Sequence, residues 1–400
     1  MSRRLLNTHL AYLANRGYVF VDYIARDHPP FPDTLPNGTR HMLHIPMNAF
    51  TSGPTGGGSW EADAYPWAPR AISQEWWDAA CPEADVIEVS TPKVNEELNV
   101  TADTSGEERL LRWAEKLRDI EGRCVRVVDG TPFDFPFMGT DKMVSIWPSY
   151  GNSPTLKEYA WSALIARALA RNFALLSPGD LPHELALALL QSTSTAPGAG
   201  SAAQPYPLAH FAPYRARAPP IRGLLGLHVR RGDYAGHCQG LAAWGSDYNA
   251  WNLLGRPDVR AAGHGPALPD HLDVPPGMSR QDAALAHCWP SVDAIVQRAR
   301  AVRASSPVGH ELGAVYLATN GEDEWVAELA GRLRAEGYAL VSSSFDMQLA
   351  QDERAVAQAV DMAVLTAAQV FIGNGFSSLS SNVVQLRLAG GRDPETSRFW

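Results

Sequence analysis

The run Leu224-Leu225-Gly226-Leu227-His228-Val229-Arg230-Arg231-Gly232-Asp233 constrains this chain more than any other stretch. Its apolar part predicts a strand buried on both faces, the habit of parallel sheets, and a sudden basic turn at the carboxyl end. In open α/β sheets that end is where ligands bind. Two adjacent guanidinium groups offer forked, permanently charged donors suited to a diphosphate. His228 adds a ring donor, and Gly232 lets the backbone turn close to a ligand. An anion is the expected guest. Arginines at a strand end also serve simply to pair with carboxylates, so the remainder of the chain must decide. The tripeptide Arg231-Gly232-Asp233 read as an adhesion signal is set aside, because it follows directly on a buried strand.

Four hundred residues favour two domains rather than one core. With 45% hydrophobic and 19% charged residues the chain is globular, and a formal charge of −9 argues against a general role on nucleic acid or on a bilayer surface. Any anion must be held locally. No secretory h-region and no apolar run of about 18 residues occurs. Residues Met1-Ser2-Arg3-Arg4 run straight into the amphipathic pattern of Leu5, Leu6, Leu10 and Leu13, which suggests a start inside a longer parent, with an anchor upstream. The four cysteines, Cys81, Cys124, Cys238 and Cys288, lack the spacing of a zinc site. Two sequons, at Asn37 and Asn99, are compatible with a secretory lumen.

In chain order, residues 4–16 predict a helix ended near Gly17, and Tyr18–Tyr23 a short strand. A Pro- and Gly-rich passage, 29–67, reads as irregular; its loop Ser52–Gly58 lacks the lysine and flanking elements of a P-loop. Ser73 starts a short helix, Val86–Val89 and Cys124–Val128 read as strands, and Glu107–Ile120 as an amphipathic helix. Residues 191–206 read as a linker or exposed loop, and 255–278 as a second irregular insert lying over the site. From Ser291 onward helix and strand alternate: strands at Ala314–Ala318, Tyr338–Val341 and Gln369–Ile372, helices at Asp323–Glu336 and Glu353–Ala368. This is a doubly wound α/β pattern with right-handed crossovers. The last of these strands runs into Gly373-Asn374-Gly375-Phe376-Ser377-Ser378, where glycines at a strand end meet hydroxyls at a helix start. By itself that is an ordinary serine cap; as a second anion-seeking strand end in one sheet it reads as an anion site.

Together, His228-Val229-Arg230-Arg231-Gly232-Asp233, Gly373-Asn374-Gly375-Phe376-Ser377-Ser378-Leu379-Ser380, Ile146-Trp147-Pro148-Ser149-Tyr150 and Ala11–Phe20 make the chain resemble the fungal, basidiomycete-type branch of the GDP-fucose protein O-fucosyltransferase family. The resemblance implies a glycosyltransferase-B-like fold, two Rossmann-like domains facing a central cleft. Residues 1–180 would form the acceptor-side domain, 181–220 a linker and loop, and 221–400 the GDP-fucose-binding domain. It implies transfer of fucose from GDP-fucose to a hydroxyl, on protein Ser/Thr or on a glycan, without metal or cofactor. By position, Arg230 matches the arginine that holds the diphosphate and steadies its departure, with Arg231 secondary. Ser377 and Ser378 match the phosphate contacts, Asp361 the acid aimed at the base, and His228 a histidine of the same pocket. Leaving GDP develops charge on phosphate, which preorganised guanidinium and amide donors stabilise without a divalent ion. The alternatives are a nucleotide-sugar-binding pseudoenzyme, or a truncated gene product without transfer activity, and a lectin-like glycan binder with no nucleotide site.

The family begins with a strand and a Gly-rich loop that this sequence lacks, Met1 falling just after where they belong. The resemblance therefore implies an open sheet edge or an apolar slot beside Tyr18–Tyr23, a less stable first half, and donor binding that survives while transfer suffers. Pairing of Cys81 with Cys124 and of Cys238 with Cys288, each inside one domain, is expected, with two other pairings formally open. Disulfides and sequons together point to the endoplasmic reticulum or Golgi lumen.

Overall fold

A five-stranded, wholly parallel sheet runs in the order Leu340–Ser343, Ala314–Thr319, Ile221–Val229, Ala368–Gly373, Ser397–Phe399. These strands belong to a computed structural model that describes residues 1–24, 44–60, 68–179, 182 and 214–400. The organising strand lies at the centre, with Leu224–Val229 in register against Ala314–Thr319 on one side and Leu225–Leu227 against Val370–Ile372 on the other. Central position explains its composition. Helices cover both faces, so alternation of apolar with polar residues would strand polar groups in a core.

On one face Leu225, Leu227 and Val229 pack with Val315 and Leu317 against the helices Val292–Ser305 and Asp323–Ala335. On the other, Leu224, Tyr316 and Phe371 meet the helices Ala357–Ala367 and Ser378–Ala389. That second cluster runs on without a break to Leu5, Leu6, Trp113 and Trp161 of the amino-terminal half. Each fully buried leucine or valine in these layers contributes about 1.5–3 kcal/mol.

The amino-terminal half carries two short parallel pairs, Val19–Phe20 with Ile72–Ser73 and Val86–Ser90 with Cys124–Val128. Between them lies a cavity of about 750 Å³, walled by Val19 and Val21 on one side and Val125 and Val127 on the other. Helix Ser2–Leu13 lines it with Leu10 and Ala11, and Trp77 closes it from helix Gln74–Ala80. Helix Gly106–Asp119 follows the expected pattern: the Ser105 hydroxyl accepts from the Glu108 amide at 3.3 Å, and acidic side chains open the first turn. Past its far end Arg16 donates to the carbonyls of Leu117 and Ile120 at 2.5 Å and of Gly122 at 2.9 Å.

Several boundaries differ from expectation. The first helix stops at Leu13, Asn15 already being left-handed with φ 53°. The strand expected at Tyr338–Val341 lies at Leu340–Ser343, because Tyr338 turns inward and its hydroxyl donates to the Ala299 carbonyl at 3.4 Å. The helix expected over Glu353–Ala368 is two, Gln351–Arg354 and Ala357–Ala367. Strand Ser397–Phe399 was not expected at all. The linker reading of residues 191–206 and the sequon at Asn37 fall outside the described residues. Asn99 is exposed, just past helix Thr91–Glu97, in an open position for its sequon. No described helix is long and apolar enough to cross a membrane.

Both disulfides join the expected partners, Cys81 with Cys124 and Cys238 with Cys288, each at a Cα–Cα distance of 5.7 Å. The second fixes helix Tyr234–Ala243, which follows the basic turn, to helix Arg280–Cys288.

Candidate functional site

In this strand order the chain reverses its direction of growth between Ile221–Val229 and Ala368–Gly373. The crossover helix Val292–Ser305 packs on one face of the sheet and helix Ser378–Ala389 on the other, the arrangement that in α/β sheets leaves a crevice at the switch point. The two turns singled out in the sequence, Arg230–Gly232 and Gly373–Ser378, sit at that point.

Three links tie the turns together. The His228 ring nitrogen Nδ1 and the Ser380 hydroxyl lie 2.8 Å apart, and the Ser380 oxygen also accepts from the Asn374 amide at 2.9 Å. The Tyr234 hydroxyl donates to the Phe376 carbonyl at 3.2 Å. The Asn374 amide side chain donates to the Cys288 carbonyl at 2.7 Å, which connects the second turn to the disulfide behind the first. His228 is 2% exposed; burial, with the nearby Arg230 charge, pushes its imidazole down to about 3, so it stays neutral.

The first turn is held by Asn320. Its carbonyl oxygen accepts from the Arg231 amide at 2.8 Å and its amide donates to the Arg231 carbonyl at 3.0 Å. Gly232 has φ 61°, and a Cβ there would press on that Asn320 side chain at 3.2 Å, so both shape and space call for glycine. Gly375 is required by contact instead: a Cβ would lie 2.4 Å from the Tyr248 ring.

The two arginines part company. The Arg230 guanidinium lies 5.0 Å over the Tyr234 ring and touches Asp233 at 3.3 Å, and its Nε is buried without a partner. A charged donor in that state is a candidate anion hook. Arg231 is 6% exposed and stands between the indoles of Trp289 and Trp325, at 4.6 and 4.3 Å, donating to the carbonyls of Arg230 and Pro290. Expected as a secondary phosphate contact, it is engaged with the protein itself, and burial pushes it down to about 10.

Ser377 caps helix Ser378–Ala389, its hydroxyl accepting from the Leu379 amide at 3.3 Å, while Ser378 is exposed on the first turn. Helix starts leave amides without intrahelical partners and carry the positive end of the dipole. Asp361, on helix Ala357–Ala367, accepts from the Tyr316 hydroxyl at 2.5 Å and from Ser344 at 3.0 Å. It therefore sits over the Ala314–Thr319 and Leu340–Ser343 side of the sheet, with Arg230 in the middle and Ser377 beyond. Of the residues expected to share one ligand, Arg230 and Ser377 follow adjacent strands, while Asp361 stands toward the Leu340–Ser343 edge of the sheet.

Burial pushes the Asp361 carboxyl up to about 6, against the pull of the two hydroxyls, which favour its ionised form. Its proton is bound more tightly in the folded than in the unfolded chain, so folding takes up a proton between about pH 4 and 6. Stability from this group is present at low pH and is lost as pH rises through 6. Relative to Asp361→Asn, the parent chain should gain up to about 3 kcal/mol on going from pH 7.5 to 4. Urea melts of both at stepped pH check this, and parallel profiles would contradict it.

Sequence reading missed the clasp behind the switch point. The Trp400 indole donates to the His228 carbonyl at 3.0 Å, and its amide to the Gly373 carbonyl at 3.2 Å. Asp270, inside the 255–278 insert, accepts from Arg298, from Arg398 at 2.9 Å and from the Phe399 amide at 2.9 Å. The insert therefore fastens the last strand of the sheet. A cavity of about 530 Å³ beside Arg171, Met347 and Arg354 lies away from the junction.

The chain matches no protein-family model and no curated protein. Among solved structures it resembles POFUT1 in complex with GDP-fucose, with a TM-score of 0.53 and 14% identity over 99% of this chain and 92% of that one. It likewise resembles POFUT1 in complex with GDP, with a TM-score of 0.52 and 15% identity over the same shares. The mixed α/β architecture with parallel sheets is thus that of a POFUT1-like glycosyltransferase fold.

Proposed function

We propose that this chain binds GDP-fucose across the carboxyl edge of the five-stranded sheet and transfers fucose to a hydroxyl, most plainly that of a protein Ser or Thr. The single observation that carries the reading is the partnerless, buried Arg230 Nε at the switch point, beside the start of helix Ser378–Ala389. The likeness of fold to structures holding GDP-fucose and GDP supports it. In this reading the diphosphate takes Arg230, the Ser378 amide and the hydroxyls of Ser377 and Ser378, and the base reaches toward Asp361; the Ser377 amide is already given to the Asn374 carbonyl at 3.0 Å. At neutral pH the Asp361 carboxyl is ionised, and each oxygen keeps a lone pair for a base N–H. As the sugar–phosphate bond breaks, negative charge grows on the diphosphate, and the Arg230 guanidinium and the Ser378 amide stabilise it there. His228 serves as a neutral strut that fixes the two turns against each other through Ser380.

The wider architecture proposed is glycosyltransferase-B-like. Residues 221–400 are the donor domain, 1–180 the acceptor-side domain and 181–220 the link, in a secretory compartment that preserves both disulfides. The test joins a calorimetric GDP titration with a transfer assay using labelled GDP-fucose and Ser/Thr acceptors in the presence of EDTA. Micromolar-range GDP binding together with label on the acceptor is the expected outcome. GDP binding without transfer would leave a nucleotide-sugar-binding module, and no binding at all would end the reading.

A further inference from the structure

The sequon Asn99-Val100-Thr101 lies in the turn that closes helix Thr91–Glu97. The Asn99 amide donates to the Glu96 carbonyl at 3.1 Å and the Val100 amide to the Asn95 carbonyl at 2.7 Å, the paired bonds that end a helix at a left-handed residue. Asn99 is that residue, with φ 52°, a conformation that glycine takes freely and asparagine more readily than most. The turn is then fixed from outside. Arg112 donates to the carbonyls of Leu98 at 2.7 Å and Asn99 at 2.9 Å, and Arg109 to that of Thr101 at 3.0 Å. The Thr101 amide donates to the Thr104 hydroxyl at 2.9 Å, and the Thr101 hydroxyl accepts from the Asp103 amide at 3.2 Å.

Every one of these bonds leaves the Asn99 side chain out. Among the described residues its carboxamide has no hydrogen-bond partner, so a substituent on Nδ2 breaks no contact. Burial alternates along the triplet: Val100 is 7% exposed and anchors the turn, while Asn99 and Thr101 on either side of it are exposed. A sequon is usable only on such an open turn. The same half of the molecule holds the Cys81–Cys124 disulfide, a bond that persists in the oxidising compartments where sequons are read.

We propose that Asn99 carries an N-linked oligosaccharide, received from a lipid-diphosphate-linked oligosaccharide in the secretory lumen. In that transfer the bond from Asn99 Nδ2 to the sugar C1 forms and the bond from C1 to the diphosphate oxygen breaks. The lipid diphosphate leaves with the electron pair, and Nδ2 gives up one of its two protons to solvent. Thr101 supplies the hydroxyl that the transfer requires. The inference rests on the secretory placement proposed above and is independent of nucleotide binding at the switch point.

The test expresses the full 400-residue chain behind a cleavable secretory leader in a eukaryotic host, then removes N-glycans with an amidase in heavy-oxygen water. Conversion of Asn99 to labelled aspartate in most molecules is expected. Thr101→Ala and Asn99→Gly should each abolish glycan at this turn, whereas Thr101→Ser should keep it. Glycine suits the left-handed backbone, so Asn99→Gly should retain the Tm of the deglycosylated parent, and its loss of glycan is then not a loss of fold. A secreted chain with both disulfides formed and Asn99 unlabelled would overturn the proposal, and so would label at Asn99 that survives Thr101→Ala. GDP titration of the same secreted material reports separately on the nucleotide reading.

Discussion

Arg230→Ala is expected to weaken GDP binding by roughly thirty-fold to several-hundred-fold in Kd, the lower part of the range for losing one partner of a desolvated charge pair. The discount reflects a side chain that remains 23% exposed. Little else at the junction offers a full positive charge, because Arg231 is stacked between Trp289 and Trp325. Arg231→Leu therefore makes the sharpest control. It should leave GDP affinity within about three-fold while lowering stability, each stacked indole being worth about 0.5–2 kcal/mol. Calorimetric titration of the two variants under one salt condition separates them. Unchanged affinity in Arg230→Ala would remove that residue from the site.

Replacing Cys238 and Cys288 by alanine should cost about 4 kcal/mol of stability, the loop-closure entropy of a chain segment of some fifty residues. Loss of the Cys81–Cys124 link, which closes a segment of similar length, should cost nearly as much. The two pairs differ in what else they hold. Cys288 offers its carbonyl to Asn374, and Asn374 organises the turn that leads to Ser377. Loosening the first pair should therefore reduce GDP affinity as well, whereas removal of Cys81–Cys124 should leave it intact. Guanidinium melts combined with GDP titrations test both statements. Equal GDP affinity in the two double variants would break the link drawn from disulfide to site.

Much of the carboxyl-terminal sheet was legible because its strands are buried on both faces and so read as apolar runs bounded by glycine and charge. Val229 and Ile372 end such runs, and both turns that follow lie side by side at the switch point of the sheet. What escaped was held together at long range. Ser397–Phe399 is three residues with a charged one in the middle, and it is a strand because Asp270 grips Arg398 and the Phe399 amide across some 130 residues of sequence. The roles of the two arginines were not separable by charge, although geometry held a clue: neighbours along an extended chain point to opposite sides, so one of the pair had to turn away. Ser380 was similarly within reach. It lies three residues after Ser377, on the same helical face, and is the group that touches His228. No sequence signal marked the break in the helix before Ala357, nor the Asn320 side chain that fixes the basic turn.

The central place of strand Ile221–Val229 bears on how the protein is made. Its neighbour on one side, Ala368–Gly373, is translated about 140 residues later. At typical rates of synthesis that is a wait of roughly seven to thirty seconds, during which the longest strand of the sheet has an open flank. The site has no existence in that interval, since Ser377 and Ser380 have not yet emerged. Chaperone demand should therefore peak late in translation, and ribosome-bound chains halted between residues 230 and 368 should aggregate more readily than either shorter or complete ones.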